Sequence, residues 1–410
     1  MKFDQYPLAP EIKQSLQKLG YKKPTDIQYK SIPNILRGED VLAIAQTGTG
    51  KTAAFAIPVI NMLNDRKIKK RPDGIKCTVM VPTRELALQI TEVFEQIGRN
   101  TRVKTLGVVG GVEQDPQIAR LQKGVDILIA TPGRLFDLVS QGYIQLHRME
   151  ILVLDEADHM LDLGFIKDIR DLIKHLPRQR QTLFFSATIN EKIKKLAYSL
   201  VSNPIRIQVS PKNPVAKNIE HFVAMIEMDD KRFFLERVVR ENPESKILVF
   251  VRTQVRAERV RKAMERADIA SQTLHGGKEQ EDRLQVLQEF RQGKVMLLIA
   301  TDVSARGIDI ADVDMVVNYD LPEPPESYVH RVGRTGRGTR KGQAIAFCSS
   351  EEQELLTNIE EYIGQPIQRL AIEKADYHDT LDLTQATDYD WRSLVQEEVV
   401  PSKGKRRKKR

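Results

Sequence analysis

Two cysteines, Cys77 and Cys348, are all that the 410 residues contain. They are far apart and without C-x-x-C spacing, so neither a disulfide framework nor a zinc ribbon can be read. Aromatic residues are also scarce, at 6%, and Trp391 is the only tryptophan. No apolar run approaches the roughly 20 residues of a membrane span. Residues 1–20 carry scattered charges and no small-residue cleavage site, which disfavours secretion and membrane insertion. A soluble, cytoplasmic chain in a reducing compartment is the expectation. Charge of one sign is missing from the body as well. The net charge is +8, but Lys403, Lys405, Arg406, Arg407, Lys408, Lys409 and Arg410 hold seven of it, leaving residues 1–402 at +1. Nucleic-acid affinity of the body must therefore come from individually placed groups, with a separate basic tail behind them.

What is present suffices for two to three domains of roughly 150 residues, since 41% of the chain is hydrophobic. Short Val, Ile and Leu-rich runs occupy 41–45, 77–81, 106–109, 127–130, 151–154 and 182–185, then 247–251, 271–274, 296–300, 315–318 and 344–347. Stretches of helical period such as 84–97 and 283–290 separate many of them. This alternation predicts an α/β chain with two tandem domains, each a mainly parallel sheet flanked by helices. Pro204, Pro211 and Pro214 interrupt the rhythm between them. The expected division is 1–205, a flexible linker of 206–218, 219–372, and a tail of 373–410 expected to be disordered. In that tail residues 373–398 carry a net of six negative charges before the basic end. Tyr377, Leu381, Leu383, Tyr389, Trp391 and Leu394 could dock on the body or a partner, or be scattered apolars in a disordered segment. The tetrapeptide 128–131 recurs at 298–301, an echo compatible with duplicated domains.

Gln46, Pro82, Gly110, Thr131, Asp155, Ser186, Arg252, His275 and Thr301 each directly follow an expected strand, at the edge where open α/β sheets bind ligands. The strongest local signal is Ala45-Gln46-Thr47-Gly48-Thr49-Gly50-Lys51-Thr52 between a strand and a helix. It matches G-x-x-x-x-G-K-[ST] except for Ala45, a small residue in place of the first glycine. Its backbone N–H groups would cradle phosphates, with Lys51 on the β and γ groups and Thr52 on Mg²⁺. A hundred residues later Asp155-Glu156-Ala157-Asp158 ends another run. Asp155 would hold the Mg²⁺, and Glu156 would orient and deprotonate the attacking water.

Across residues 1–372 the chain resembles the DEAD-box ATP-dependent RNA helicases, and within them the bacterial RhlE type. Further motifs carrying the resemblance are Gly20-Tyr21-Lys22-Lys23-Pro24-Thr25-Asp26-Ile27-Gln28 with Phe3 seventeen residues before it, Pro82-Thr83-Arg84-Glu85-Leu86-Ala87, Gly110-Gly111, Thr131-Pro132-Gly133-Arg134 and Ser186-Ala187-Thr188. Later come Val249-Phe250-Val251-Arg252-Thr253, His275-Gly276, Gln280 with Arg283, Ala300-Thr301-Asp302, Ala305-Arg306-Gly307-Ile308-Asp309 and His330-Arg331-Val332-Gly333-Arg334-Thr335-Gly336-Arg337.

The resemblance implies two RecA-like domains that bind ATP and Mg²⁺ and act on RNA. It implies that Gln28 reads adenine, with Tyr21 or Phe3 packing on the base and Lys23 beside it; the same stretch also reads as a helix start. Arg334 and Arg337 become fingers on the γ-phosphate, and Asp309 meets the ribose or the water network. His330 couples to the acidic loop, with Asp158, Ser186, Thr188 and Arg306 as further coupling residues. RNA contact falls to Pro82, Thr83, Arg84, Gly110, Gly111, Thr131, Pro132, Gly133 and Arg134, with Arg252, His275, Gly276, Arg283, Thr301 and Asp302 from the second domain. No aromatics are interleaved among them, so sequence preference should be weak. His159 and Ile189 depart from the pattern and carry no implied role. A monomer recruited by ribosomal or RNA-decay proteins is the expected context. Two other readings stand beside this one, a DNA-directed translocase and an RNA clamp that turns over poorly.

Overall fold

Apolar runs of four to seven residues are too short for stable helices, and most are buried along their whole length, as strands with both faces covered must be. The computed structural model describes residues 2–46, 48–68, 74–209, 215, 218–302, 310, 313–336, 341–372 and 377–381. Thr47, Arg306, Asp309, Arg337 and Trp391 lie outside the described residues.

The first sheet comprises β1 (Val41–Ala45), β2 (Cys77–Met80), β3 (Thr105–Val108), β4 (Ile127–Ala130), β5 (Ile151–Leu154), β6 (Gln181–Ser186) and β7 (Ile205–Val209), in the order β3-β4-β2-β5-β6-β1-β7. The second comprises β8 (Ile219–Met225), β9 (Ile247–Val251), β10 (Ser271–Leu274), β11 (Leu297–Thr301), β12 (Met315–Asn318), β13 (Gly342–Cys348) and β14 (Gln368–Arg369), in the order β10-β11-β9-β12-β13-β8-β14. All pairings are parallel. Adding seven to each strand number of the first order gives the second, so the two sheets share one topology. The echoed tetrapeptides fall on β4 and its counterpart β11.

Side chains alternate across the first sheet. Val41, Ala43 and Ala45 meet the helices Lys51–Ile68 and Arg84–Gly98 and the N-terminal residues Phe3, Ile12 and Ile27. Leu42 and Ile44 face the other way, onto Leu135, Ile169 and Leu196. Because the helices take both faces and the strands run in parallel, the loops at the carboxyl edges are left for ligands.

Three strands were not expected. β7 extends the first sheet through Val209, past residue 205 and into the supposed linker, where it pairs with β1. It is an edge strand with only Ile207 buried, so no apolar run marks it. Pro204 stands just before it, where a missing N–H interrupts no ladder. β8 is mixed, with Glu220 and His221 ahead of the apolar residues 222–225, and β14 is two residues long.

Residues 377–381 depart from the disordered tail expected after residue 372. They form a helical turn against the helix Lys231–Glu241. The Tyr377 ring lies 4.9 Å from that of Phe234, and its hydroxyl donates to Asp230 Oδ2 at 2.7 Å while accepting from the Glu227 N–H at 3.2 Å. Arg237 donates to Thr380 Oγ1 at 2.8 Å. No helix among the described residues is long and apolar enough to cross a membrane.

A buried cation organises the carboxyl edge of the second sheet. Lys231 is 0% exposed; its Nζ donates to the carbonyls of Tyr319 at 2.8 Å and Phe347 at 3.2 Å and pairs with Glu352. Burial pulls its pKa down, against the opposing pull of Glu352. Glu352 also accepts from the Leu321 and Ser349 N–H groups, which ties the ends of β12 and β13 together. Lys231→Met leaves this carboxylate buried without its cation, and urea unfolding should show a loss of about 3–5 kcal/mol. A loss below about 1 kcal/mol would mean that the pair does not organise this edge.

Candidate functional site

The glycine-rich loop leads from β1 into the helix Lys51–Ile68. Gly50 has φ +91°, and a Cβ there would stand 2.5 Å from Gln28 Nε2, so only glycine fits. Gln28 is 3% exposed; its Oε1 accepts from the Thr25 N–H at 3.0 Å and its Nε2 donates to the Gly50 carbonyl at 3.1 Å. The amide therefore both starts the helix Asp26–Leu36 and props the phosphate loop. One N–H and one acceptor lone pair remain on it, the pair that an adenine edge needs. Phe3 is buried and meets the half-buried Tyr21 ring edge-on at 5.9 Å. Of the two aromatics, Tyr21 is thus the one left for a base, and Lys23 is exposed nearby in sequence. Within the loop, Thr49 Oγ1 donates to the Gln46 carbonyl at 2.7 Å. Lys51 is 6% exposed, and its Nζ has no hydrogen-bond partner. A buried ammonium left in that state fits an anionic ligand such as a phosphate.

β5 delivers the acidic group. Asp155 Oδ1 accepts from the Glu156 N–H at 3.0 Å, and burial raises the Asp155 pKa to about 6 against the pull of Lys51. Glu156 turns the chain in the left-handed region, at φ 51° and ψ 48°, where a non-glycine residue is uncommon. Burial pushes its pKa up, but the His159 ring, Lys51 and Arg334 outweigh that and hold it at about 2. Asp158 Oδ2 accepts from the Ala187 and Thr188 N–H groups at 3.1 and 2.9 Å and from Thr188 Oγ1 at 3.0 Å. Ser186 Oγ donates to the Thr188 carbonyl at 2.8 Å. The acidic turn and the Ser186-Ala187-Thr188 loop are therefore mechanically one unit.

The second domain faces this unit across a cavity of about 530 Å³, lined by Glu156, Asp158, His159 and Thr188 on one side and by Asp302, His330 and Arg334 on the other. His330 and Arg334 come from the helix Pro325–Val332 and the turn after it, where Arg334 Nε donates to the His330 carbonyl at 3.3 Å. Sequence reasoning gave no role to Arg331. Its guanidinium grips Asp302 through two bonds, at 2.6 and 2.7 Å, donates to Asn318 Oδ1 and the Asp320 carbonyl, and lies 5.1 Å from the Phe250 ring. Asp302, expected to steer neighbouring groups or bind a 2'-OH, is correspondingly engaged with Arg331. The only signal in sequence was the place of Arg331 between Tyr328, Val329 and Val332 on a buried helix face.

The remaining edge loops carry three arginines, Arg84, Arg134 and Arg252. Arg134 is 9% exposed; its Nη2 donates to the Val112 carbonyl at 2.9 Å, while Nε and Nη1 have no partner. Burial and Arg84 depress its pKa, although Asp137 raises it. Arg84 lies so close over Gly110 and Gly111 that Gly111, at φ +71°, has no room for a side chain. Thr83 caps the helix Arg84–Gly98 by accepting from the Leu86 N–H, and Thr131, Pro132 and Gly133 form the start of the helix Pro132–Ser140. Arg252 is partly exposed, with its N–H on Asp320 Oδ2 at 2.9 Å and its guanidinium on Glu352 at 3.4 Å. Gly276 is exposed and Thr301 is buried at its strand end.

Two expected RNA ligands are otherwise engaged. His275 uses both ring nitrogens, with Nε2 on Glu258 at 2.9 Å and Nδ1 accepting from the Gly277 N–H at 3.2 Å, because the loop after β10 needs them to hold its shape. Arg283 crosses the domain boundary to Glu85 at 2.9 Å, and Gln280 Nε2 donates to the same carboxylate at 2.9 Å.

Comparison with known proteins adds to this geometry. The DEAD/DEAH box helicase family matches residues 25–196, and the helicase conserved C-terminal domain matches residues 230–339. The ATP-dependent RNA helicase DbpA of Bacillus subtilis is 42% identical over 369 residues, 90% of this chain and 76% of that protein. The ATP-dependent RNA helicase CshA of Listeria monocytogenes is 37% identical over 402 residues, 98% of this chain and 76% of that protein. Among solved structures, S. cerevisiae Dbp5 bound to RNA and ADP BeF3 superposes with a TM-score of 0.81 at 29% identity, covering 94% of this chain and 99% of its own. Mss116p bound to ssRNA and AMP-PNP gives a TM-score of 0.84 at 25% identity, covering 97% and 84%. With a phosphate loop and an acidic turn on one sheet, arginines on the facing one, and relatives matched along nine-tenths of its length, the chain belongs to the DEAD-box ATP-dependent RNA helicases.

Proposed function

We propose that the chain hydrolyses ATP in the cleft between its two sheets when RNA lies along their carboxyl edges, and that closing the cleft separates short duplexes locally. One observation carries this reading: the unpaired Lys51 Nζ and Arg334 of the opposite domain both act on Glu156. Lys51 and the loop N–H groups bind the phosphates, and the free valences of the Gln28 amide select adenine. Mg²⁺ fits the buried Asp155 carboxylate and Thr52 on the first helical turn, and when bound it supplies positive charge beside the phosphates. Glu156, ionised at neutral pH, orients the attacking water and accepts its proton. The water oxygen bonds to the γ-phosphorus as the bond to the ADP oxygen breaks, and the Arg334 guanidinium spreads the developing charge.

Arg84, Arg134 and Arg252 suit sugar-phosphate contact, and the lack of an aromatic cluster among these loops supports low sequence specificity. The proposed division is 1–209, a link of 210–218, 219–372 and the tail. A monomer in the cytoplasm, recruited by ribosomal or RNA-decay proteins, completes the proposal. The RhlE-type subgroup is proposed from motif order and spelling, beside relatives that bear the names DbpA and CshA.

Phosphate release with RNA, with DNA and with no nucleic acid tests the reading. Stimulation by RNA alone is expected; equal stimulation by DNA favours the translocase, and RNA binding with negligible release favours the clamp. Glu156→Gln should keep binding ATP and RNA while losing about 10²–10⁴ in single-turnover hydrolysis, because an amide keeps the shape but turns a donor toward the water. Wild-type turnover in this variant would remove Glu156 from the mechanism. Gln28→Ala should lower the preference for ATP over GTP by about tenfold, the equivalent of roughly 1–3 kcal/mol for a bidentate base contact. Competition between the two nucleotides reads this directly, and unchanged preference would leave Gln28 as a helix cap and loop prop only.

A further inference from the structure

His159 directly follows the acidic tetrapeptide, and the reaction described above gives it nothing to do. Its ring is 5% exposed, yet neither Nδ1 nor Nε2 has a hydrogen-bond partner. Burying an unpartnered imidazole is unfavourable, and an apolar side chain would fill the same space without that penalty. Packing alone therefore does not explain the residue. Two observations show what the ring faces. Its Nδ1 is 3.6 Å from Glu156 Oε2, too far for a direct hydrogen bond but within reach of a bridging water or a small side-chain shift. The ring also lines the cavity shared with Asp158, His330 and Arg334, whose charged groups and size admit ordered water.

Glu156 needs such a neighbour. It is the N-cap residue of Ala157–Asp162, in the left-handed region, and makes no side-chain cap bond. Helix geometry thus leaves the direction of the carboxylate to the groups around it. Lys51 and Arg334 act on the carboxylate too, but both are expected on phosphate oxygens once nucleotide is bound. His159, one helical turn further along the chain, is the neighbour with no such competing duty.

We propose that His159 is a positioning residue for hydrolysis, its Nδ1 holding the Glu156 carboxylate toward the attacking water. The inference rests on the reading of Glu156 as the group that orients that water, and the test separates the two. RNA-stimulated ATPase of the full-length protein is measured for His159→Leu, His159→Asn and His159→Gln, with the KM for ATP, RNA affinity and the thermal midpoint recorded for each.

His159→Leu should lower kcat by about tenfold to a hundredfold, the range for a misplaced catalytic group, at unchanged KM and RNA affinity. His159→Asn places an amide nitrogen where Nδ1 stands and should recover most of the rate; His159→Gln places it where Nε2 stands and should not. In a Glu156→Gln background, His159→Leu should have no further effect. Wild-type kcat in His159→Leu, equal losses in the Asn and Gln variants, or a loss that tracks a lowered thermal midpoint would each overturn the proposal. If Glu156→Gln itself keeps wild-type turnover, the underlying reading of Glu156 fails instead, whatever His159 does.

Discussion

The carboxylate of Glu85 is bonded from across the domain boundary by Gln280 and Arg283, and the closed arrangement depends on that contact. Glu85 belongs to the helix that Thr83 caps, next to Arg84, so the same turn serves the boundary and the RNA edge. Closure brings the Arg283 guanidinium near Arg84. Burial lowers the Arg283 pKa first, Glu85 opposes that, and Arg84 adds to it by like-charge repulsion. Arg134 sits in the field of Arg84 as well. Three guanidinium groups against the two carboxylates of Glu85 and Asp137 leave an excess of positive charge that a phosphate backbone would balance. On the proposed function, binding RNA and closing the cleft would be linked, each making the other less unfavourable. ATP would enter the same linkage, because Arg334 and the acidic turn line one cavity.

Inside the second domain the edge loops are not independent. Lys231, Glu352, Arg252, Asp320, Arg331 and Asp302 form a chain of ion pairs and hydrogen bonds. It runs from the loop that carries Arg252, proposed to meet RNA, as far as the helix that carries His330 toward the acidic turn. Charges so placed are poor contributors to stability in themselves, since desolvation opposes their attraction. Their effect is rigidity, so that a push on one loop displaces the next.

Much of this was legible in the sequence because the ligand-binding residues sit where strands end, and buried parallel strands announce themselves as apolar runs. β1, β5 and β9 were readable for that reason, and with them Lys51, Asp155 and Arg252. β7, β8 and β14 were not: β7 is an edge strand with one buried residue, β14 is two residues long, and the apolar part of β8 begins only after Glu220 and His221. Residue type alone also could not separate a side chain facing ligand from one holding the loop. His275 looked like an RNA ligand and Asp302 like a group that steers its neighbours or meets a 2'-OH; both hold bonds within the protein. Arg331 looked like one more basic residue of a loop and is the buried centre of a network. Tyr377 illustrates the converse, an aromatic in a polar segment whose partner Phe234 lies far away in sequence.

The shared topology of the two sheets sets up a comparison between two lysines. Lys51 opens the helix after β1, six residues beyond Ala45; Lys231 opens the helix after the counterpart strand β8, six residues beyond Met225. The first has an unbonded Nζ, whereas the second is held by two carbonyls and Glu352. Before Lys231 stand Glu227, Asp229 and Asp230 in place of a glycine-rich loop, and the Tyr377 hydroxyl is seated on that corner. On the proposed function this doubled scaffold would carry one nucleotide seat among the described residues, so one ATP would serve two sheets and the second domain would sense what the first has bound.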